Sequence, residues 1–293
     1  MREFPHNLAV DTCLWRVFMA FLFITSGFYP LTAADPQQEL LQEKIDNSQH
    51  LAPVKLSTGY DSLYMYKGAN VIPGDGIAWV RLDPVCQFGR NDILDVPFWY
   101  ATALGNPLPN VAQNYREFDV PVTFTHRAYD FAFTAAYDLY CYFNYPGIRP
   151  AGEGIQHELH LGSSWTGKTG TISWTPSLDY FYELGNANGT PYGCINPGAS
   201  FLGTSLTCSI PIIRDRLTLD PVGQYNFSFG YSANRNLKYV WGGNNAQITI
   251  PATWHFNQHV SLTAYAAYSY QWQQLLGTSP GTIWGGGSIN YSF

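Results

Sequence analysis

Two imidazoles and a carboxylate occur within four residues of this chain, in the stretch HELH from His157 to His160. A zinc hydrolase motif needs its two histidines four positions apart on one face of a helix, whereas these two are three apart. The neighbouring residues alternate in polarity, which predicts a strand, and a strand points His157 and His160 to opposite faces. The stretch therefore predicts no metal site, and the chain contains no CxxC or other His/Cys ligand spacing.

Most of the other side chains that could do chemistry are carboxylates. They recur at alternate positions of the predicted strands, on the face that carries polar side chains. A ring of carboxylates in a narrow aqueous pore lowers the energy of cations and raises that of anions. The predicted pore-lining residues are Asp61, Arg81, Asp83, Asp95, Glu117, Asp119, Asp138, Glu158, His160, Asp179 and Glu183.

The composition indicates which elements hold these groups. Charged residues are 12% of the chain, against about 25% in soluble proteins, while aromatic residues are 16% and glycines number 27. The interior of the chain contains no run of about 20 apolar residues, so the sequence predicts no membrane-spanning helix there. The formal net charge of -6 argues against a nucleic-acid partner, which requires clustered Lys and Arg. Together these features favour a transmembrane β-barrel.

A period of two from Val54 onward predicts the strands. In FAFTAAYDLYCYFN, Phe131 to Asn144, one face is largely apolar and the other carries Thr134, Asp138 and Asn144. Such runs match the ~9–11 residues with which a tilted strand crosses a bilayer. We predict an all-β, antiparallel up-and-down barrel of about twelve strands, spanning 54–66, 76–86, 93–104, 115–126, 130–144, 154–166, 170–184, 204–215, 222–236, 245–257, 259–273 and 282–293.

The connections between these spans alternate between short and long, as periplasmic turns and extracellular loops do. Aromatic residues fall near both predicted interfaces, where amphipathic rings are favoured. Those near the long loops are Tyr64, Phe143, Tyr180, Tyr182, Tyr231, Tyr270 and Trp272, and those near the short turns are Phe124, Trp165, Trp254 and Phe256.

The C-terminal run GGGSINYSF ends with Ile289, Tyr291 and Phe293 on one side of a strand. Pairing of this strand with the first would close the barrel and remove an edge that lipid cannot hydrate. A terminal Phe preceded by alternating apolar residues resembles the C-terminal β-signal of bacterial outer-membrane proteins. This resemblance implies that the barrel-assembly machinery recognises Tyr291 and Phe293, and that outer-membrane lipid surrounds the barrel.

The N-terminus predicts export. An apolar run, Val17 to Leu31, follows Arg2 and Arg16 and precedes small residues, so residues 1–34 read as a cleaved signal peptide. The interpretation as a membrane anchor is weaker because the run is short and contains Gly and Pro.

Residues 35–52 are predicted to be a polar N-terminal segment that lies in the periplasm or across the barrel mouth, with apolar residues spaced like a short helix. Residues 53–293 are predicted to form the barrel. Export permits disulfides, and a bridge between Cys194 and Cys208 would close a Gly-, Asn- and Ser-rich loop. Two free thiols are the other interpretation, because connectivity cannot be read from sequence.

Enzymatic alternatives fail on placement. His259 and Ser261 have the residue types of a lipid hydrolase, but they flank a short turn at the predicted periplasmic end. Asp179 and Glu183 could serve a rim protease, yet no histidine lies near that rim in the predicted topology. No nucleophile, base and orienting group converge, so we expect neither catalysis nor a cofactor.

The start of the barrel carries a more specific pattern. The stretch Gly59-Tyr60-Asp61-Ser62, followed by Tyr64 and the pair Lys67-Gly68, resembles the opening of the TorF-like family of small porins. Further stretches, REFDV at 116–120, NYP at 144–146 and HELHL at 157–161, follow that pattern in order, whereas 185–203 departs from it.

This resemblance and the acidic lumen imply an outer-membrane porin for passive diffusion of small polar solutes or ions, weakly cation-selective. The alternative is a structural or adhesion-type barrel whose carboxylates pair with Arg81, Lys55 or tyrosine hydroxyls, fill the lumen, and leave function to the extracellular loops.

Overall fold

In the computed structural model the chain from Val54 onward is built of β-strands that hydrogen-bond in a closed ring. The structure describes residues 54–67, 69–70, 76–88, 90–105, 115–143, 153–186, 198–233, 239–272 and 280–293. Within these ranges no α-helix occurs, and hence no helix there is long and apolar enough to cross a membrane. The ring is a twelve-stranded antiparallel barrel, which confirms the predicted fold.

Eighteen strand segments make up the described chain. In order they are β1 Lys55–Asp61, β2 Met65–Tyr66, β3 Ala69–Asn70, β4 Ile77–Asp83, β5 Val85–Phe88, β6 Asp92–Asp95, β7 Phe98–Ala103, β8 Arg116–Ala128, β9 Phe131–Phe143, β10 Glu153–Trp165, β11 Gly167–Thr169, β12 Ile172–Asn186, β13 Ser200–Ile213, β14 Leu217–Leu219, β15 Val222–Ala233, β16 Tyr239–His255, β17 Val260–Gln271 and β18 Gly281–Ser292.

Four barrel strands consist of two segments each. The breaks between β4 and β5, between β6 and β7, and between β14 and β15 each contain a proline, namely Pro84, Pro97 and Pro221. Because proline has no backbone N–H, it cannot donate to the neighbouring strand at that point. The fourth break, between β10 and β11, is the single residue Thr166. The small hairpin of β2 and β3 forms a separate two-stranded sheet and is not one of the strands of the ring.

The barrel closes where the first and last strands meet, as the alternating C-terminus predicts. β1 pairs with β18 from Lys55 opposite Ser292 to Asp61 opposite Gly286. The terminal residue continues this pairing, because the Phe293 N–H donates to the Val54 carbonyl at 3.0 Å. Closure leaves no unpaired sheet edge between the termini of the barrel.

Alternation along each strand separates an apolar outer face from a polar inner face. On β12, Leu184 is 47% exposed on the outside, whereas the adjacent Glu183 is 0% exposed inside the barrel. The same division holds on β9, where Phe131 and Phe133 lie outside and Asp138 is buried inside. This pattern is the one expected of a barrel whose outer face contacts lipid.

The predicted strand spans are correct within a few residues, with three informative differences. β1 ends at Asp61 rather than at Tyr66, because the chain turns inward and forms the β2–β3 hairpin. β13 begins at Ser200 and accommodates Pro211 by a shift of register against β14. β16 begins at Tyr239, six residues earlier than predicted, and is the longest strand with 17 residues.

Several sequence-based predictions lie outside the described residues: the signal peptide 1–34, the segment 35–52, Cys194, and most of the 185–203 loop. Cys208 is described, and it carries a free thiol on β13. Cys208 lies eight residues after Ser200, where β13 begins. Its N–H donates to the Pro221 carbonyl near the short turns. Because Cys194 is not among the described residues, the suggested Cys194–Cys208 bridge stays a prediction.

Candidate functional site

The β2–β3 hairpin crosses the lumen and contacts the opposite wall. It follows β1, which lies between β4 and β18 in the ring. Counted around the twelve strands, β12 is six strands from β1 in either direction and so faces it across the barrel. The turn of the hairpin reaches this far wall, where Lys67 lies 3.8 Å from the centre of the Phe181 ring of β12.

Lys67 is held by one carboxylate and several aromatic rings. Its Nζ forms an ion pair with Glu158 of β10, and the two side chains are only 8% and 0% exposed. The same nitrogen donates to the Tyr231 hydroxyl at 3.0 Å. Burial lowers the pKa of the Lys67 ammonium, and the charge of Glu158 opposes this shift. The contacts fix the turn of the hairpin against the far wall.

Tyrosine hydroxyls complete the surroundings of Glu158. Tyr231 donates to Glu158 Oε2 at 2.6 Å, and Tyr66 lies 3.4 Å from Oε1. Tyr66 also donates to the Tyr140 hydroxyl at 3.1 Å. A fully buried carboxylate requires such partners, since an unpaired buried charge is strongly unfavourable.

A second buried carboxylate lies next to this group. Gln156 donates through Nε2 to Glu183 Oε2 at 2.7 Å and to the Tyr231 hydroxyl at 3.3 Å. Its own Oε1 accepts from the Tyr142 hydroxyl at 2.6 Å. Gln156 thus connects Glu183 to Tyr231, which contacts Lys67.

Another acidic group lies beside the start of the hairpin. Tyr115 donates to Glu117 of β8, which is 1% exposed, and Tyr64 also hydrogen-bonds Glu117. The Tyr64 ring lies 5.8 Å from that of Trp99 and 6.2 Å from that of Tyr115. Asp119 lies two residues along β8, on the same face of the strand as Glu117. These contacts secure the near end of the hairpin.

Asp61 marks the point where the chain leaves β1. It accepts from Trp79 Nε1 at 3.0 Å and from the Tyr265 hydroxyl at 2.6 Å. Gly59 and Gly286 provide the space, because a Cβ on either would lie within 2.7 Å of the Trp79 ring or of Asp61 Oδ1. The two glycines therefore let the Asp61 group pack flat on the barrel wall.

The short-turn half of the lumen differs in character. Its charged pair Arg81–Asp83 is partly exposed, at 43% and 14%. His160 and Asp179, at mid-height of the wall, are 20% and 32% exposed. A cavity of ≈ 760 Å³ lies at this end, lined in part by Arg127, Ser164 and Lys168. Hydroxyls of neighbouring strands bond in pairs along the wall, namely Thr125–Thr134, Ser177–Ser205 and Thr253–Thr263.

The structure brings some predicted residues together and separates others. Glu158, Asp138 and Glu183 are buried in the long-loop half, with Glu158 opposite Asp138 on β9 and opposite Glu183 on β12. Arg81 pairs with Asp83 of the same strand, at 2.5 Å. Asp95 and Asp119 each have one buried oxygen without a hydrogen-bond partner.

Sequence reasoning missed the residues that fill the centre. Tyr231 is predicted at the lipid interface but is 1% exposed inside the barrel. The cause is Gly230, whose φ of 74° interrupts the alternation, so that Tyr231 turns inward after the outward Phe229. Tyr64 is likewise inside rather than at the interface, because the hairpin carries it there. The Lys67-Gly68 pair was visible only as part of the family pattern.

The enzymatic candidates remain apart. His157 lies outside with Tyr137, and His160 lies inside with Asp179 at 2.9 Å. His259 Nδ1 contacts the Ser292 carbonyl at 2.8 Å, whereas Ser261 is near Asn290. In the described chain no group of three His, Cys, Asp or Glu side chains could hold a metal ion.

Comparison with solved structures gives the class of fold. The COG4313 outer membrane channel from Pseudomonas putida F1 is similar with a TM-score of 0.57 and 10% identity, over 89% of this chain and 100% of that one. LpxR from Salmonella typhimurium is similar with a TM-score of 0.50 and 8% identity, over 82% of this chain and 100% of that one. No protein-family model and no curated protein matches the sequence. The chain therefore has the fold of an outer-membrane β-barrel.

Proposed function

We propose that this protein is an outer-membrane channel for passive diffusion of small polar solutes or ions, with a preference for cations. The long loops face the outside of the cell and the short turns face the periplasm. In this arrangement the β2–β3 hairpin forms the constriction near the outer mouth. The proposal includes membership of the TorF-like family, on the pattern around Asp61 and Lys67.

The lining of the lumen supports transport of polar solutes. Along the short-turn half the wall is built of hydroxyls and of the partly exposed ion pair Arg81–Asp83. Such a wall offers hydrogen bonds to a hydrated solute, whereas the outer face of the same strands is apolar. A barrel of this kind conducts when its centre is open.

The buried charges at the constriction support a preference for cations. Four carboxylates of the described residues are buried there, namely Glu117, Asp138, Glu158 and Glu183. Lys67 forms an ion pair with one of the four, Glu158. A negative excess at the narrowest part of a pore favours cations over anions. This imbalance is the observation that carries the proposed selectivity.

The same constriction supports a second candidate. If the hairpin stays in place, the long-loop half is filled by side chains and the barrel is a structural scaffold that acts through its loops. The contacts of Lys67 with Glu158 and Tyr231 favour that function. The two candidates differ in whether the hairpin withdraws.

Ion flow through the refolded barrel tests the proposal. The chain lacking residues 1–34 would be inserted in a planar bilayer, and the reversal potential measured in a gradient of KCl. We expect openings with a reversal potential on the cation-selective side. A barrel that is folded, as judged by a heat-sensitive shift on a gel, yet never conducts would support the scaffold instead.

A further inference from the structure

At the far wall of the lumen the Lys67 ammonium group is enclosed by aromatic rings and one carboxylate. Four aromatic rings surround the Lys67 nitrogen, with ring centres 3.8 Å away for Phe181, 4.4 Å for Tyr231, 4.9 Å for Tyr66 and 5.5 Å for Phe201. Glu158 supplies the charge on the remaining side. Such cages of aromatic faces bind organic cations.

Most of this cage belongs to the barrel and not to the hairpin. Phe181, Phe201, Tyr231 and Glu158 come from β12, β13, β15 and β10. These strands are neighbours in the ring, and their backbone pairing fixes the spacing of the four side chains. The cage therefore keeps its shape when Lys67 leaves, apart from the loss of the Tyr66 ring.

We propose that this cage is a binding site for a small organic solute that carries a primary ammonium group, and that Lys67 is a built-in competitor for it. The inference rests on the proposed function in one respect, because the solute reaches the cage through the lumen. An arriving amine replaces the contacts of Lys67 and so favours withdrawal of the hairpin.

The chemistry of the cage selects this class of ligand. A hard metal ion requires several oxygen ligands, whereas this site offers one carboxylate, a hydroxyl and carbon rings. An anion is repelled by Glu158 and by the nearby Glu183. A quaternary ammonium would fit the rings but could not donate to Glu158 or to the Tyr231 hydroxyl, as Lys67 does at 3.0 Å.

Removal of the competitor makes the site testable. Lys67 has a φ of 47°, a left-handed conformation that glycine adopts without strain. Lys67→Gly removes the atoms of an n-butylammonium ion and leaves their space. Calorimetry in detergent micelles would measure binding of n-butylammonium chloride to the folded Lys67→Gly chain. The matched control is Lys67→Met, which removes the charge but keeps the cage filled.

We expect n-butylammonium to bind the Lys67→Gly chain at least tenfold more tightly than the Lys67→Met chain, and n-butanol to bind neither detectably. Adding Glu158→Gln or Phe181→Leu to Lys67→Gly should weaken binding at least tenfold. Absence of binding to a folded Lys67→Gly chain, or equal affinity for n-butanol, overturns the proposal. If that chain does not fold, Lys67→Ala with n-propylammonium gives the same comparison.

The result is separable from the proposed channel activity. Amine binding by a barrel that never conducts would retain the cage and refute the channel. Conductance by a barrel whose folded Lys67→Gly variant binds no amine would retain the channel and refute the cage.

Discussion

The Nζ atom of Lys67 lies 3.0 Å from the hydroxyl of Tyr231, although 164 residues separate them in the chain. One belongs to the hairpin that follows β1, and the other to β15 on the far side of the lumen. The contact exists because a bulge at Gly230 turns Tyr231 inward and a turn at Lys67 points the ammonium across the barrel. The centre of the lumen is thus set by two local departures from regular strand geometry.

Loss of the carboxylate beneath Lys67 should destabilise the barrel. Glu158→Gln leaves a buried ammonium without its counter-charge, and removal of one partner of a buried pair costs about 3–5 kcal/mol. We expect the free energy of unfolding, measured by urea titration in lipid vesicles, to fall by about that amount.

The double variant Glu158→Gln/Lys67→Met serves as the comparison, because it removes both charges and keeps an apolar chain of similar length. It should recover most of the lost stability. A Glu158→Gln chain as stable as the unsubstituted chain would show that the pair does not hold the hairpin.

The bulge at Gly230 should not tolerate a side chain. Gly230 has a φ of 74°, and a Cβ there would lie 2.9 Å from the Trp241 ring. Gly230→Ala should therefore cost about 1–3 kcal/mol of stability and move Tyr231 away from Glu158. Gly223→Ala is the matched control on the same strand, because a Cβ at Gly223 meets nothing within 4 Å. Equal urea midpoints for the two variants would contradict the assigned role of the bulge.

The two faces of β17 should respond differently to the same substitution. Tyr265→Phe removes the hydroxyl that donates to Asp61 at 2.6 Å inside the barrel, and a hydrogen bond to a charged group contributes about 1.5–3 kcal/mol. Tyr268→Phe changes the outer face, where Tyr268 is 41% exposed, and should be nearly neutral. Urea unfolding titrations of the two variants provide the test. A larger loss of unfolding free energy for Tyr268→Phe than for Tyr265→Phe would contradict the assigned faces of β17.

Selectivity should follow the buried carboxylates. Glu117→Gln combined with Asp119→Asn removes charge from the lumen wall, so the reversal potential in a KCl gradient should move toward zero. Asp215→Asn makes a charge change on an exposed turn, where the side chain is 88% exposed, and should leave the potential unchanged. A shift of equal size in both variants would indicate a surface effect instead of a lumen effect.

The sequence predicts the strands of the barrel wall better than it predicts the side chains that fill the lumen. On β9 the alternation from Phe131 to Phe143 is uninterrupted, so local periodicity determines which side chains face inward. Tyr231 shows the limit of this reasoning, because Gly230, a glycine with positive φ, turns the next side chain inward.

The hairpin shows a second limit. Tyr64, Tyr66 and Lys67 continue the pattern of β1 in sequence, yet the chain leaves the wall after Asp61. Their positions depend on Glu117, Glu158 and Phe181, which are distant in sequence. Without those partners in view, an aromatic residue near a predicted loop is more naturally placed at the lipid interface.

The most direct test compares single-channel conductance of the chain from residue 35 onward with that of a variant lacking residues 64–70. The seven residues that remain between Asp61 and Gly76 still connect β1 to β4. Deletion of 106–112 from the next long connection serves as the length-matched control. The account predicts larger and longer openings for the 64–70 deletion, and unchanged conductance for the control. A folded 64–70 deletion variant that conducts no better than the intact chain would contradict the assignment of the hairpin as the constriction of a channel.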